Sequence, residues 1–183
     1  MKVKSRIENM VCRIDFKQGI YFDEKTARKQ GITETEHLQA YIYNHPKLDI
    51  KMMIFQTGEV ILSGAKDARE IESAFWNLKK KLKDIGVKIA IRPDTEIEVQ
   101  NVLATGNIRD YLPGLEIDLE KLADSENAVY DPKKFPTVFL SYLLHDCKAT
   151  AMLFPSGKVL IGDVKTREDA NLVLEKVIDQ VRY

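Results

Sequence analysis

The sequence predicts an α+β fold in which two repeats share one antiparallel sheet and carry their long helices on the same face of it. Three observations predict this. The segment "FQTGEVILSGAK", beginning at Phe55, returns as "FPSGKVLIGDVK", beginning at Phe154, with the Phe, a Gly, a Val and the closing Lys at matched positions. Earlier in each copy, "IENMV" (7–11) is echoed by "VQNVL" (99–103), setting Asn9 against Asn101. Each copy also closes with an amphipathic helical stripe. The asparagines are offset by 92 residues and the phenylalanines by 99, so the second copy carries about seven extra residues, most simply in loops.

The elements follow in order. "IENMV" opens the first repeat as a strand, and a short helix is expected at 23–30. The β-prone runs "AYIYN", "IKMMIFQ" and "EVILSG" then form a meander, bounded by turn residues. Asp67 with Glu70 marks a capping-box-like helix start. Ile71, Ala74, Phe75, Leu78, Leu82 and Ile85 follow at helical spacing. Pro93 and Asp94 mark the seam, giving repeats at 1–92 and 93–183. The second repeat runs through the echo strand, a short helix at 118–125, and the strands "TVFLSYLL", "ATAMLFP" and "KVLIG". Thr166 with Asp169 then starts the last helix, whose apolar stripe is Ala170, Val173, Leu174, Val177 and Val181.

Composition bounds the function. The 183 residues are 44% hydrophobic and 31% charged, ordinary values for a soluble globular chain. No apolar run is long enough to span a membrane, and "MKVKSRIENM" lacks a signal-peptide core, which predicts a cytoplasmic protein. The zero net charge hides an asymmetry. Residues 1–92 carry 18 cationic and 12 anionic side chains, residues 93–183 carry 10 and 16. The run "KKKLK" (79–83) reads as the solvated face of a helix. Cys12 and Cys147 share no metal or disulfide motif, and His37, His45 and His145 have no metal-ligand spacing. Phosphate-loop, dinucleotide and nucleophile-elbow motifs are absent, so the sequence predicts no catalytic residues, no metal, no cofactor and no small-molecule substrate.

Helices on one face leave the other sheet face uncovered, and an exposed apolar sheet face marks a binding surface. Alternation sorts its residues. With Val60 and Leu62 turned toward the helices, Glu59, Ile61 and Ser63 fall on the open face. Leu38, Ala40, Ile42 and Asn44 join them, as do Asn9, Val11 and Arg13. The second repeat contributes Asn101, Leu103, Thr105, Phe135, Thr137, Phe139 and Ser141. Lys66, Lys158 and Lys165 flank this surface.

Two direct repeats containing "VQNVLAT" (99–105), "VYDPKKFPTV" (129–138) and "FPSGKVLIGDVK" (154–165) resemble the TATA-box-binding protein family, and the resemblance covers nearly the whole chain. It implies a saddle with pseudo-twofold symmetry, a curved sheet and helices on the convex side. It implies a general transcription initiation factor that binds and bends TATA-like promoter DNA through the minor groove. By resemblance, Phe135 and Phe154 are one wedge pair; Phe55 is a wedge of the first repeat, with Leu38 where its partner phenylalanine sits. Asn9 and Asn101 would meet base acceptors at the centre of the site, and Val11, Ile61, Ser63, Leu103 and Leu160 would cover the groove. Lys66, Lys158 and Lys165 would reach phosphates. The implied partners are double-stranded promoter DNA and a B-type transcription initiation factor docking at 130–135. The neutral Lys/Glu-rich chain resembles archaeal members, for which the location would be the nucleoid; a eukaryotic source would imply the nucleus.

Departures from the family pattern imply weaker DNA binding. Glu59 stands where the first repeat of the family has a lysine, and Asn44 and Ser141 stand where it places arginines. Ser63 keeps a central hydroxyl that Gly162 lacks, and Asp163 replaces a glycine. Lys133 and Lys134 occupy positions that relatives use, with acidic and apolar side chains, to dock the B-type factor. A second function fits the same residues: a diverged member whose open face or basic first-repeat helix docks a protein, with weak or no DNA binding.

Overall fold

The period-two segments become strands with one buried and one partly exposed face. The computed structural model describes residues 3–35, 38–90, 92 and 95–183. The chain packs as two compact units, residues 9–100 and residues 1–8 together with 101–183. The expected seam at Pro93 and Asp94, and His37, lie outside the described residues.

In the unit of residues 9–100 the antiparallel strand order is β2 (Ile32–Glu34), β3 (Ala40–Asn44), β4 (Lys51–Phe55), β5 (Glu59–Ala65) and β1 (Arg6–Asp15, from Asn9 onward). Register is set by burial. Met52 pairs with Leu62, and Ile54 with Val60, so β4 and β5 turn the same apolar face to the helix. That face packs with Ile71, Ala74, Phe75, Leu78 and Leu82 of α2 (Ala68–Asp84) in a single buried cluster. Asp67 caps α2 by accepting the Glu70 N–H at 2.9 Å. The Glu70 carboxylate reaches back one residue beyond the cap, to the Lys66 N–H at 2.7 Å. The short helix α1 (Glu24–Lys29) starts at Asp23, whose carboxylate accepts from both the N–H and the hydroxyl of Thr26.

The other unit repeats the plan. Its strand order is β6 (Glu96–Asn107, from Asn101 onward), β10 (Lys158–Val164), β9 (Lys148–Leu153), β8 (Val138–Leu143) and β7 (Ala128–Val129). The fully buried side chains Val159, Ile161, Leu153, Ala151 and Leu140 belong to the face that meets α4 (Arg167–Arg182). There Leu174 comes so near β6 that a Cβ on Gly106 would lie 2.4 Å from its methyl group, so any other residue at 106 would have to displace that side chain. Thr166 caps α4 through the Asp169 N–H. A single 3-10 turn, Ile108–Asp110, follows β6, and α3 (Leu119–Ala123) fills the place of the second short helix.

Three expectations are corrected. Strands β2 and β7, three and two residues long, were not expected, because runs that short carry no measurable period. Ala40 and Thr137 were expected to surface the open face, yet both are fully buried. Each follows a tight fold-back in which its N–H donates to the carbonyl two residues earlier, Ala40 to Leu38 and Thr137 to Phe135. The residue before each turn is exposed and the residue after it enclosed. In α4, Ile178 is buried and Val181 is only half-buried, so the stripe closes at Ile178, three residues before the expected Val181.

Candidate nucleic-acid interface

The face opposite α2 is built by register. Directly paired residues of antiparallel strands share a face. The rows Asn44–Lys51–Ser63–Val11 and Ile42–Met53–Ile61–Arg13 therefore cross one surface, with Ala40 and Phe55 paired beyond them. Val11, Ile61, Ser63 and Phe55 lie together here, each half-buried. Leu38 stands at the flank with 51% of its surface exposed. Lys66 is exposed at the junction of β5 and α2, off the central rows.

In the other unit the equivalent rows are Ser141–Thr150–Gly162 and Val129–Phe139–Met152–Leu160–Thr105. Leu160 and Leu103 are half-buried on this face, and Leu103 is the nearest side chain to Gly162. Phe135 is 46% exposed and lies 6.3 Å from Phe139, centroid to centroid, in a tilted pair. Phe154 is half-buried beside the turn closed by the bond from the Gly157 N–H to its carbonyl. Lys158 and Lys165 are exposed at opposite ends of β10.

The two asparagines have the same local chemistry. Asn9 Oδ1 accepts the Gly64 N–H at 2.7 Å, and Asn101 Oδ1 accepts the Asp163 N–H at 3.1 Å. The donors sit at matched irregularities of β5 and β10, both with positive φ: Gly64 at 108° and Asp163 at 60°. One lone pair of each oxygen is taken by backbone, which turns the oxygen toward the strand and leaves both Nδ2 hydrogens to offer a partner. Gly64 is obligatory here, since a Cβ would lie 2.0 Å from the Asp49 carbonyl oxygen. Asp163 holds a left-handed conformation that aspartate tolerates better than most residues.

Sequence reading missed the electrostatics at one end of this face. Arg13 contacts Glu59 at 2.6 Å and Asp15 at 3.2 Å, and Lys17 bridges Asp15 at 3.0 Å and Glu96 at 3.3 Å. The hydrogen bond that Arg13 donates to the Glu59 carboxylate raises the Arg13 pKa above its ordinary value. The Lys17 N–H, 2.8 Å away, and the Lys17 ammonium hold Asp15 below the usual carboxylate value. Two cations and three carboxylates meet here, so the cations are fully engaged and one negative charge is left over. The register-equivalent positions of the other unit, Thr105, Asn107, Arg109 and Lys158, carry no carboxylate. Lys51, Met53 and Met152 were also missed, although counting back by twos from Phe55 would have placed Met53 and Lys51 on the open face. In segment 130–135, Asp131 organises an exposed turn, accepting the Lys133 N–H and pairing with the Lys134 ammonium at 3.2 Å. No group of metal-ligating side chains occurs among the described residues, and no helix among them is long and apolar enough to cross a membrane.

Known proteins resemble this arrangement over its whole length. The family model described as "Transcription factor TFIID (or TATA-binding protein, TBP)" matches residues 4–85 and 96–183. The TATA-box-binding protein of Pyrobaculum islandicum is 31% identical over 181 residues, covering 97% of this chain and 85% of that protein. The TATA-box-binding protein of Pyrococcus furiosus is 31% identical over 182 residues, covering 98% and 91%. A solved structure of Methanococcus jannaschii TBP superposes with a TM-score of 0.79 at 31% identity, covering 98% of both chains. The fold expected from the repeats is thus the fold of that protein, and the relatives are archaeal. The chain belongs to the TATA-binding protein family of non-enzymatic transcription factors.

Proposed function

We propose that the protein binds TATA-like promoter DNA through the minor groove, on the open sheet faces, and bends it by inserting Phe154, Phe135, Phe55 and Leu38 between base steps. The asparagine pair carries this reading. An A·T pair shows only acceptors in the minor groove, whereas a G·C pair adds the guanine N2 donor. Asn9 and Asn101 have their oxygens turned onto backbone N–H groups and their Nδ2 donors left over, so they match the acceptors of A·T better than the added donor of G·C. Val11, Ile61, Leu103 and Leu160 supply the apolar cover around them, with Ser63 as the one central hydroxyl. Kinking by apolar wedges is known best from this family itself. Lys66, Lys158 and Lys165 reach phosphates, which position the duplex without specifying sequence.

The two repeats, 1–92 and 93–183, act as the two halves of this reader. The turn at 130–135 docks a B-type initiation factor through a surface whose charge, with Lys133 and Lys134, differs from the acidic and apolar pattern of the resemblance. The cluster around Glu59, with its one excess carboxylate, favours the second reading, a protein-docking face with weak DNA binding. Fluorescence anisotropy separates the two. An A·T-rich duplex should bind more tightly than a G·C-rich one. Phe154→Ala should weaken the A·T complex about tenfold or more, in line with the ~1–3 kcal/mol an aromatic contact to a base contributes. Equal binding of both duplexes, unmoved by that substitution, would sink the proposal.

A further inference from the structure

We infer that Lys51 is a phosphate anchor of the open face, taking over from the neighbouring strand the cation that β3 lacks at Asn44. The inference rests on the DNA-binding reading above and adds a residue to it. Lys51 pairs directly with Asn44 on one side and with Ser63 on the other. Its side chain therefore rises from the same surface as Val11 and Ile61, within one strand spacing of the position where the resemblance implies an arginine.

Three further observations favour it. Lys51 is exposed and makes no ion pair among the described residues, whereas the other two cations at this face and its end, Arg13 and Lys17, are held by carboxylates. The depression around Lys51, about 480 Å³, is lined also by Asn9, Asn44, His45 and Ser63, all able to donate hydrogen bonds. His45 accepts the Lys47 and Leu48 N–H groups on Nδ1, which puts its own proton on Nε2. Asp49 lines the depression too, without an ion pair to Lys51. Finally, the equivalent row of the other unit, Ser141–Thr150–Gly162, contains no cation. Lys51 is thus a feature of one repeat and not of the duplicated pattern.

The test is the salt dependence of binding to an A·T-rich duplex by the wild-type chain, Lys51→Gln, Lys51→Arg and the double variant Arg13→Gln with Glu59→Gln. Each phosphate neutralised contributes about 0.9 to the slope of log K against log salt. Lys51→Gln should flatten that slope by about this amount and weaken A·T-rich and G·C-rich duplexes alike, while Lys51→Arg keeps the slope. Arg13→Gln, combined with Glu59→Gln so that no carboxylate is uncovered, should leave it unchanged, because those two side chains are committed to each other. A wild-type slope in Lys51→Gln, with duplex binding intact, would overturn the assignment of Lys51 alone. No duplex binding by the wild-type chain would overturn the DNA-binding reading and this inference with it.

Discussion

Glu59 stands where the resemblance implies a lysine, and read alone its carboxylate should repel a phosphate. In the folded chain Arg13, opposite Ile61 on the neighbouring strand, contacts that carboxylate at 2.6 Å, so each side chain cancels the other. Removing the carboxylate therefore frees a cation as well as removing an anion. Glu59→Gln should tighten binding to duplex DNA and steepen the salt slope by up to about 0.9, measured by anisotropy. Loosening or no change would mean that Arg13 stays on Asp15. Asp15 gives a second prediction. Its folded pKa lies below the ordinary 3.8, so its contribution to stability is present above the unfolded carboxylate range and is lost as pH falls through the folded value. Urea titrations across the acid range should show Asp15→Asn losing less stability on acidification than the wild-type chain. The identities of Asn9, Asn101 and the phenylalanines were legible from the repeat. Their hydrogen-bond partners and the Arg13–Glu59 pair were not, because cross-strand neighbours depend on register.

At the scale of elements, the long helices and central strands were legible because each carries a full period of its pattern. Asp67 and Thr166 were identified as starts of α2 and α4, and both cap through the N–H three residues on. Asp67→Ala should cost about 1 kcal/mol of unfolding free energy in denaturant titration and not weaken DNA binding, since α2 packs on the other side of the sheet and the lost carboxylate lies next to Lys66. A loss of DNA affinity without a stability loss would contradict that placement. The irregularity of β5 and β10 escaped the sequence reading. Gly64 could be seen as a glycine, but not that its N–H is the donor that orients Asn9. At the matched position the chain has Asp163, which hid the equivalence. Leu38 and Phe135, expected on the open face, are both exposed. The enclosure of Ala40 and Thr137 was not, because it follows from a backbone fold-back and not from strand alternation.

For the whole molecule, duplication was the most informative feature, since one repeat of Phe, turn and strand fixed the plan of both units. Which partner the open faces serve is a question of hydrogen-bond polarity more than of fold. The central claim is that two amides whose oxygens are turned onto backbone N–H groups read the minor groove of A·T pairs through their Nδ2 hydrogens. The measurement that tests it most directly compares three duplexes of equal length by anisotropy, one with A·T pairs, one with G·C pairs and one with inosine·cytosine pairs. Inosine lacks the guanine N2 amino group, so an inosine·cytosine pair presents the minor groove of A·T and the major groove of G·C. The account predicts that the inosine duplex binds like the A·T duplex and that the G·C duplex binds more weakly. An inosine duplex that binds like G·C would contradict it.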